Sequence, residues 1–441
     1  MEDHYCLYLA LALVSLLVVI AKRRRAHGHG LCLPPGPWQL PFIGSMHHIA
    51  GKLPHRAMRD LSRRHGPVML LRIGERHLRK VAVTELLSAR RVLSFRAVRE
   101  EEVAALLRAC ATCAAATGPG GVVEMRARLS ALVADATARV VVGDRCKDRD
   151  VFLRELGRAI ELVAGFNPAD LWPSSRLVGW LSGAVRRAER CRDTVYGILD
   201  RIIEEHLVEI DSGRAGENED LLHVLLKIQK EGSLQIPLDM DVLKAVIFDI
   251  FGAGSETSAT TLEWALAELI RNPKAMRRAT AEVRDAFGTL GTVPEHALGE
   301  LRYLHLVIRE TLRLHTPLPL LLPRQSREEA CRVLGYDVPR GATVLVNAWA
   351  LGRDERVEVD LKGADFELLP FGAGRRMCPG MAFGLANVEL ALASLLFHFD
   401  WEVPGLADPA ELDMTEAFGI TARRKANLLL RPILRVPVPG L

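Results

Sequence analysis

Of the eight cysteines in this 441-residue chain, one sits in a setting that could do chemistry. The run Phe371-Gly372-Ala373-Gly374-Arg375-Arg376-Met377-Cys378-Pro379-Gly380 leads directly into an apolar stretch from Met381 to Phe399. That order implies a glycine-rich loop that delivers Cys378 to the start of a helix. Pro379 suits a first helical position, because the N–H that proline lacks would have had no intrahelical partner there. A thiolate at such a place is stabilised by the helix dipole and by unpaired backbone N–H groups. Arg376 adds a cation beside whatever the sulfur binds. The competing reading is a buried structural cysteine in a turn.

A second candidate is Ala253-Gly254-Ser255-Glu256-Thr257-Ser258, inside an apolar run from about Val242 to Ile270. Gly252 and Gly254 each cost a helix interior ~1 kcal/mol relative to alanine. They suit a place where a flat body approaches the backbone or where the helix opens. The Thr257 hydroxyl can bond to the carbonyl four residues back and loosen that turn further. An acid and a hydroxyl side by side offer protons a route to a buried oxygen species. The alternative is an ordinary helix with its polar residues in solvent. A third candidate, Glu310-Thr311-Leu312-Arg313, puts an acid and a guanidinium on one helix face by its i,i+3 spacing, a pairing that many exposed helices share. Cys110 and Cys113 form a CxxC with no second pair and no nearby histidine pair, so they read as buried helical thiols and not as a zinc or redox site.

The elements that must position these groups are mostly helical. Apolar residues recur at three- and four-residue spacing from about Leu78 to Phe287, with a surface loop expected at Gly213 to Asn218. Strands are expected at Val68 to Ile73, Arg332 to Asp337 and Ala342 to Trp349, the last two separated by a turn-like Val-Pro-Arg-Gly. The fold class is therefore mainly α with a small β region (α+β). Residues 38–441 read as one compact unit without repeats. Ahead of it, Tyr5 to Ala21 is uncharged and apolar, and Lys22-Arg23-Arg24-Arg25 follows. As a helix it spans ~26 Å at ~1.5 Å per residue, slightly under the ~30 Å hydrocarbon core. Basic residues after the run, with Glu2 and Asp3 before it, place the N-terminus in the lumen and the rest in the cytosol. A cleaved signal peptide would carry its basic residues first. Residues 1–21 thus read as a membrane anchor, and residues 22–37, ending in Leu33-Pro34-Pro35-Gly36-Pro37, as a basic, proline-stiffened hinge. The remaining cysteines, Cys6, Cys32, Cys146, Cys191 and Cys331, make no compact disulfide framework and read as reduced thiols. A formal charge of +4, with its basic residues spread out, makes no case for nucleic-acid binding.

Together these motifs resemble the cytochrome P-450 superfamily, in particular its plant microsomal members of the 71 clan. FxxGxRxCxG is that family's haem-binding loop, and every fixed position is present from Phe371 to Gly380. The resemblance makes Cys378 the axial thiolate on the iron of haem b, with Phe371 and Gly372 in the cofactor loop and Arg376 on a haem propionate. Thiolate ligation favours O–O cleavage. The AGxET motif makes Thr257 the oxygen-side hydroxyl, Glu256 its acidic neighbour and Ala253 a pocket residue. Glu310 and Arg313 match the ExxR core pair. The following HTPLPLLLPR implies a pocket wall with Leu318 and Leu320, and a propionate contact at Arg324. FGIT near residue 420 implies a pocket-lining turn with Phe418, and Phe166 to Asp170 also looks like plant members. The resemblance implies a P-450 fold and a monooxygenase of secondary metabolism. Such an enzyme inserts one atom of O2 into a small apolar metabolite with electrons from NADPH, delivered by NADPH–cytochrome P-450 reductase. Its single-pass anchor would lie in the endoplasmic reticulum, with the catalytic domain in the cytosol. A haem isomerase or peroxygenase would fit the same loop, but Glu256 and Thr257 argue against it.

The chain departs from the family twice. After Arg72-Ile73-Gly74-Glu75 several dozen residues of pocket wall are missing. Arg79 matches the arginine of a WxxxR motif, but Glu75 stands where tryptophan is expected. After Gly352-Arg353-Asp354 a PERF-containing meander is missing, leaving Arg356 as its one candidate remnant. A buried Glu310–Arg313 pair without its third partner would cost ~3–5 kcal/mol. The gaps imply an incomplete P-450 fold, a cleft more open than usual and weak haem retention. The second functional reading is accordingly a non-catalytic or haem-poor relic of such an enzyme.

Overall fold

The computed structural model describes residues 56, 58–60, 63, 87–116, 121–143, 148–163, 183–212, 220–231, 239–326, 330–354, 366, 368–374, 377–417 and 419–440. The anchor, the hinge, the strand expected at 68–73, Glu75, Arg79, the 166–170 motif, the 213–218 loop, Arg356, Arg376 and Phe418 lie outside the described residues.

The helices in chain order are α1 (Ala89–Ser94), α2 (Arg96–Ala115), α3 (Met125–Val142), α4 (Arg149–Val163), α5 (Ala184–Asp211), α6 (Leu221–Glu231), α7 (Met240–Arg271), α8 (Pro273–Phe287), α9 (Arg302–Leu314), α10 (Ala348–Leu351) and α11 (Met381–His398). The strands are β1 (Val123–Glu124), β2 (Arg324–Gln325), β3 (Ala330–Val333), β4 (Tyr336–Pro339), β5 (Thr343–Val344), β6 (Phe399–Glu402) and β7 (Leu429–Leu434). They form an antiparallel sheet of order β1-β7-β6 and two antiparallel pairs, β2-β5 and β3-β4. The architecture is thus mainly helical with a small β region.

The long helix α7 organises the body. The Asp239 carboxylate caps it by accepting the Val242 N–H at 2.7 Å, and it ends at Asn272, ahead of Pro273. Helix α3 lies along it, and α11 packs against both α7 and the α8–α9 pair. The second half of helix α11, from Leu390 on, is buried on every side: Leu390, Leu392, Leu395, Leu396 and Phe397 are each no more than 1% exposed. The whole helix is long and apolar enough to cross a membrane, but 67% of it is buried inside the protein, as a core helix must be.

Two strand expectations need correction. Arg332 to Asp337 is not one strand: the chain reverses at Leu334-Gly335, with φ of +50° and +84°, and makes the β3-β4 hairpin. Only Thr343–Val344 of the second run is strand, and its end, Ala348–Leu351, is helix α10, capped by the Asn347 side chain. The helical expectation from Leu78 to Phe287 is interrupted by β1, whose two residues are too few to show a period.

Candidate active site

Two left-handed glycines shape the cysteine loop, Gly372 at φ +70° and Gly374 at φ +66°, a conformation that costs other residues ~1–2 kcal/mol. The loop closes where the Cys378 N–H donates to the Phe371 carbonyl at 2.8 Å and the Met377 N–H donates to the Gly374 carbonyl at 3.0 Å. Helix α11 starts later than the proline suggested. Gly380 is the N-cap, and its carbonyl takes the first helical bond from Gly384 N–H at 2.8 Å. Pro379 therefore precedes the cap. Cys378 still sits over the helix start: a Cβ added at Gly380 would stand 4.0 Å from its Sγ, so glycine keeps that side of the sulfur open.

The first turn of α11 meets α7 beside the Thr257 turn. A Cβ at Gly384 would stand 3.4 Å from Ser258 Oγ, so the two helices approach closely there. Thr257 donates its hydroxyl to the Ala253 carbonyl at 2.7 Å, and Thr261 donates to the Thr257 carbonyl at 2.9 Å, so two side chains compete for the backbone of this stretch. Ala253 is exposed between buried Phe251 and Ser255, which marks an open face on an otherwise buried helix. The two glycines do not make that opening. A Cβ at Gly252 would touch Leu156 at 3.5 Å and one at Gly254 would touch Thr137 at 3.5 Å, ordinary contacts with neighbouring helices. Glu256 turns to the 419–423 segment. Burial raises its carboxyl above the usual range, against a hydrogen bond from Thr421 and the charge of Arg423.

Glu310 and Arg313 meet as their spacing requires, with Nε to Oε2 at 2.7 Å and Nη2 to Oε1 at 2.6 Å. The pair is not buried, however: the Glu310 side chain is 54% exposed, so the cost foreseen for a buried, half-paired charge does not arise. The Arg313 hydrogen bond, ahead of burial, holds Glu310 below the ordinary carboxylate range. The third partner of Arg313 is the Gly352 carbonyl, which accepts from Nη1. Gly352 must be glycine, because a Cβ there would stand 2.6 Å from the Arg313 carbonyl. Beside it, the Arg353 guanidinium stacks on Trp349 at 3.8 Å, and burial lowers its pKa to about 10. Trp349 donates to Glu416 at 3.0 Å.

Within Pro317 to Leu322, Leu318, Leu320 and Leu321 are half-buried and Leu322 is exposed, an apolar surface facing open space. Backbone bonds tie the segment down, from Ala422 N–H to the Pro317 carbonyl at 2.8 Å and from Trp349 N–H to the Pro319 carbonyl at 3.1 Å. Leu321 holds φ +51°, strained for a leucine, and its Cδ1 reaches 4.0 Å from the Cβ position of Gly372. Nothing in a leucine's identity announces that role, and Gly352 carried no signal beyond being a glycine at a helix end. Arg324 lies on β2, paired with Val344. Cys110 is fully buried on α2, where burial pushes its thiol up to about 12, as befits an inert core cysteine.

The helical body thus offers a thiol at the head of its buried core helix, whose first turn meets the crossing helix α7. Comparison with known proteins gives the class. A family model described as Cytochrome P450 matches residues 75–357 and 358–430. Dolabradiene monooxygenase of Zea mays is 42% identical over 506 residues, spanning 99% of each chain. Cytochrome P450 71D7 of Solanum chacoense is 39% identical over 467 residues, 90% of this chain and 93% of its own. Premnaspirodiene oxygenase of Hyoscyamus muticus is 38% identical over 486 residues, 95% of this chain and 96% of its own.

The chain belongs to the cytochrome P450 family, as a plant member of the 71 type, and is a cytochrome P450 monooxygenase. Membership implies haem, O2, a redox partner and an organic substrate. The described residues fit haem: a thiol over a helix start, an open alanine on the crossing helix and a half-exposed leucine wall. An alignment of 506 residues over a chain of 441 leaves several dozen residues of the maize relative without a counterpart here. The family match begins at residue 75 and is interrupted between 357 and 358, at or within a few residues of the two departures in the sequence.

Proposed function

We propose that the chain hydroxylates a small apolar metabolite, a terpenoid hydrocarbon in the first instance, at a haem b held by Cys378. Electrons come from NADPH through NADPH–cytochrome P-450 reductase. Residues 1–21 anchor the enzyme in the endoplasmic reticulum membrane with a single pass, and its catalytic domain faces the cytosol. The observation that carries this reading is the close approach of the first turn of α11, which follows the Cys378 loop, to α7 at Ser258, next to Thr257. Two relatives are named for action on dienes, which suggests the substrate class.

The bound haem would supply O2 activation; the chain's own side chains would hold, orient and protonate. Cys378 would ligate the iron, with Phe371 and Gly372 in the cofactor loop, and the family resemblance assigns Arg376, Arg79 and Arg324 to the propionates. Ala253, Leu318 and Leu320 would form the apolar side of the pocket and exclude water, and the family resemblance adds Phe418 to it. The Thr257 hydroxyl would hold and relay a proton at the Ala253 turn of α7. Glu256, with its raised carboxyl pKa, retains its proton more readily than an exposed glutamate and suits a donor. Glu310 and Arg313 brace the backbone behind the site through Gly352. The test is the dithionite–carbon monoxide spectrum of the expressed chain. Cys378→Ser abolishes the red-shifted thiolate–carbonyl band, while Cys110→Ser and Cys331→Ser keep it. Survival of the band in Cys378→Ser would overturn the assignment.

A further inference from the structure

Away from the cysteine loop, three side chains converge where α5, α6 and the end of α3 meet. His206 comes from α5, Asp220 caps α6, and His223 lies in the first turn of α6. They are 7%, 4% and 8% exposed, and one ligand atom from each falls within 4.8 Å of the others. His206 Nε2 is 3.0 Å and His223 Nδ1 2.8 Å from the same oxygen, Asp220 Oδ2, and the imidazole centroids are 4.5 Å apart.

The outward atom of each residue is directed elsewhere. His206 Nδ1 lies 2.8 Å from the Ile202 carbonyl, an acceptor, so this nitrogen carries a proton and Nε2 faces inward, where it donates to Asp220 Oδ2 until an arriving ion displaces that proton. Asp220 Oδ1 accepts the His223 backbone N–H at 2.8 Å, leaving Oδ2 inside. His223 Nε2 faces Glu209 Oε2 at 3.5 Å, which favours a proton on the outer nitrogen and a lone pair on Nδ1. Close as Nδ1 is to Oδ2, neither ring nitrogen of this buried histidine makes an aligned hydrogen bond. Three atoms able to ligate an ion thus face one point. Gly143, at φ +71°, leaves them room: a Cβ there would stand 2.5 Å from Asp220 Oδ2.

We infer that His206 Nε2, His223 Nδ1 and Asp220 Oδ2 form a site for a divalent transition ion of the zinc type, distinct from the haem. Two imidazoles and one carboxylate suit Zn2+ far better than Mg2+ or Ca2+, which prefer all-oxygen sets. Ligands ~2.0–2.1 Å from a tetrahedral zinc stand about 3.3 Å from one another, so small ring rotations bring the cluster into register. Carbonyl and carboxylate acceptors behind the two rings are the outer contacts that orient metal-bound histidines. The ion would tie α5 to α6 across the connection between them.

The test uses the full chain with its haem, without an affinity tag, dialysed against a chelator and then titrated with zinc sulfate. One zinc binds per chain, and zinc-edge X-ray absorption reports imidazole and oxygen ligands at ~2.0–2.1 Å. His223→Leu weakens that binding by about 100-fold or more, beyond the ~10–100-fold expected for loss of an outer contact. Asp220→Asn does the same while keeping the helix cap, since asparagine caps as well as aspartate. It therefore serves if the histidine variant folds poorly. Zinc also raises the thermal midpoint of the parent and leaves that of Asp220→Asn unmoved. Unchanged zinc stoichiometry and affinity in Asp220→Asn, or a parent that binds no zinc, would mean that protons alone fill the cluster as a buried histidine–aspartate pair, and would overturn the site.

Discussion

At the scale of single residues, local geometry separates groups placed for chemistry from groups placed for structure. Thr257 donates its hydroxyl to its own helix at Ala253, so trimming it to alanine removes a local hydrogen bond. Thr257→Ala should change stability by no more than ~0.5 kcal/mol, yet lower the ratio of product formed to NADPH consumed by about tenfold or more, since positioned proton transfer contributes ~10²–10⁴-fold. Unchanged coupling would remove Thr257 from the proton route. Glu310 gives the opposite case, a family signature whose energetic weight is small here. Its pKa is held below that of the unfolded chain. Its stabilisation is therefore present above the unfolded value of ~4.3 and lost as pH falls through the folded one. With the side chain 54% exposed, solvent screening limits the effect to ~0–1 kcal/mol. Glu310→Gln should cost no more than that at pH 7 and nothing near pH 3 in denaturant unfolding. A loss of several kcal/mol at pH 7 would mean that the pair is buried after all.

At the scale of elements, α7 and α11 carry the candidate site, and both were legible in the sequence for the same reason: long apolar runs with clear boundaries. The run read from Val242 to Ile270 is the helix Met240–Arg271, with Asp239 before it and Asn272-Pro273 after it. The run after Pro379 is Met381–His398. Short strands were not legible, because β3, β4 and β5 are two to four residues long and their pairing depends on a left-handed turn at Leu334-Gly335. Helix α11 sets the stability of the cysteine loop at its head. Leu392 is fully buried in the main core, so Leu392→Ala should cost ~2–5 kcal/mol by cavity formation and lower haem content with it. A guanidinium titration of the purified protein measures this. A cost under ~1 kcal/mol would mean that α11 is not packed as described.

At the scale of the whole molecule, the missing segments set the expectation for cofactor content. The maize relative aligns over 506 residues with a chain of 441. Native stability is only ~5–15 kcal/mol, so lost packing in two places can consume much of it. The intact helices still build a core in which α7, α8, α9 and α11 pack together. Haem per polypeptide should therefore be low in the 441-residue chain. It should rise to near one when both missing segments are supplied from a relative, with turnover rising in parallel. Equal, full occupancy in the two chains would show that the gaps are tolerated.

The sequence by itself determined the class of fold, the cysteine loop and the helices that present it. These rest on local periodicity, glycine and proline placement and a contiguous ten-residue signature, all written in neighbouring residues. Only the tertiary structure decided the rest. It put Gly352 against the Arg313 carbonyl, from residues 39 apart in the chain. It turned Glu256 toward Thr421, assigned Gly252 and Gly254 to helix packing, and left Glu310 half in water. It also gathered His206, Asp220 and His223 around one oxygen. Each of these depends on how separate elements cross. A side chain's burial, partners and ionisation are set by the neighbours that such crossings bring, and no local spacing encodes them.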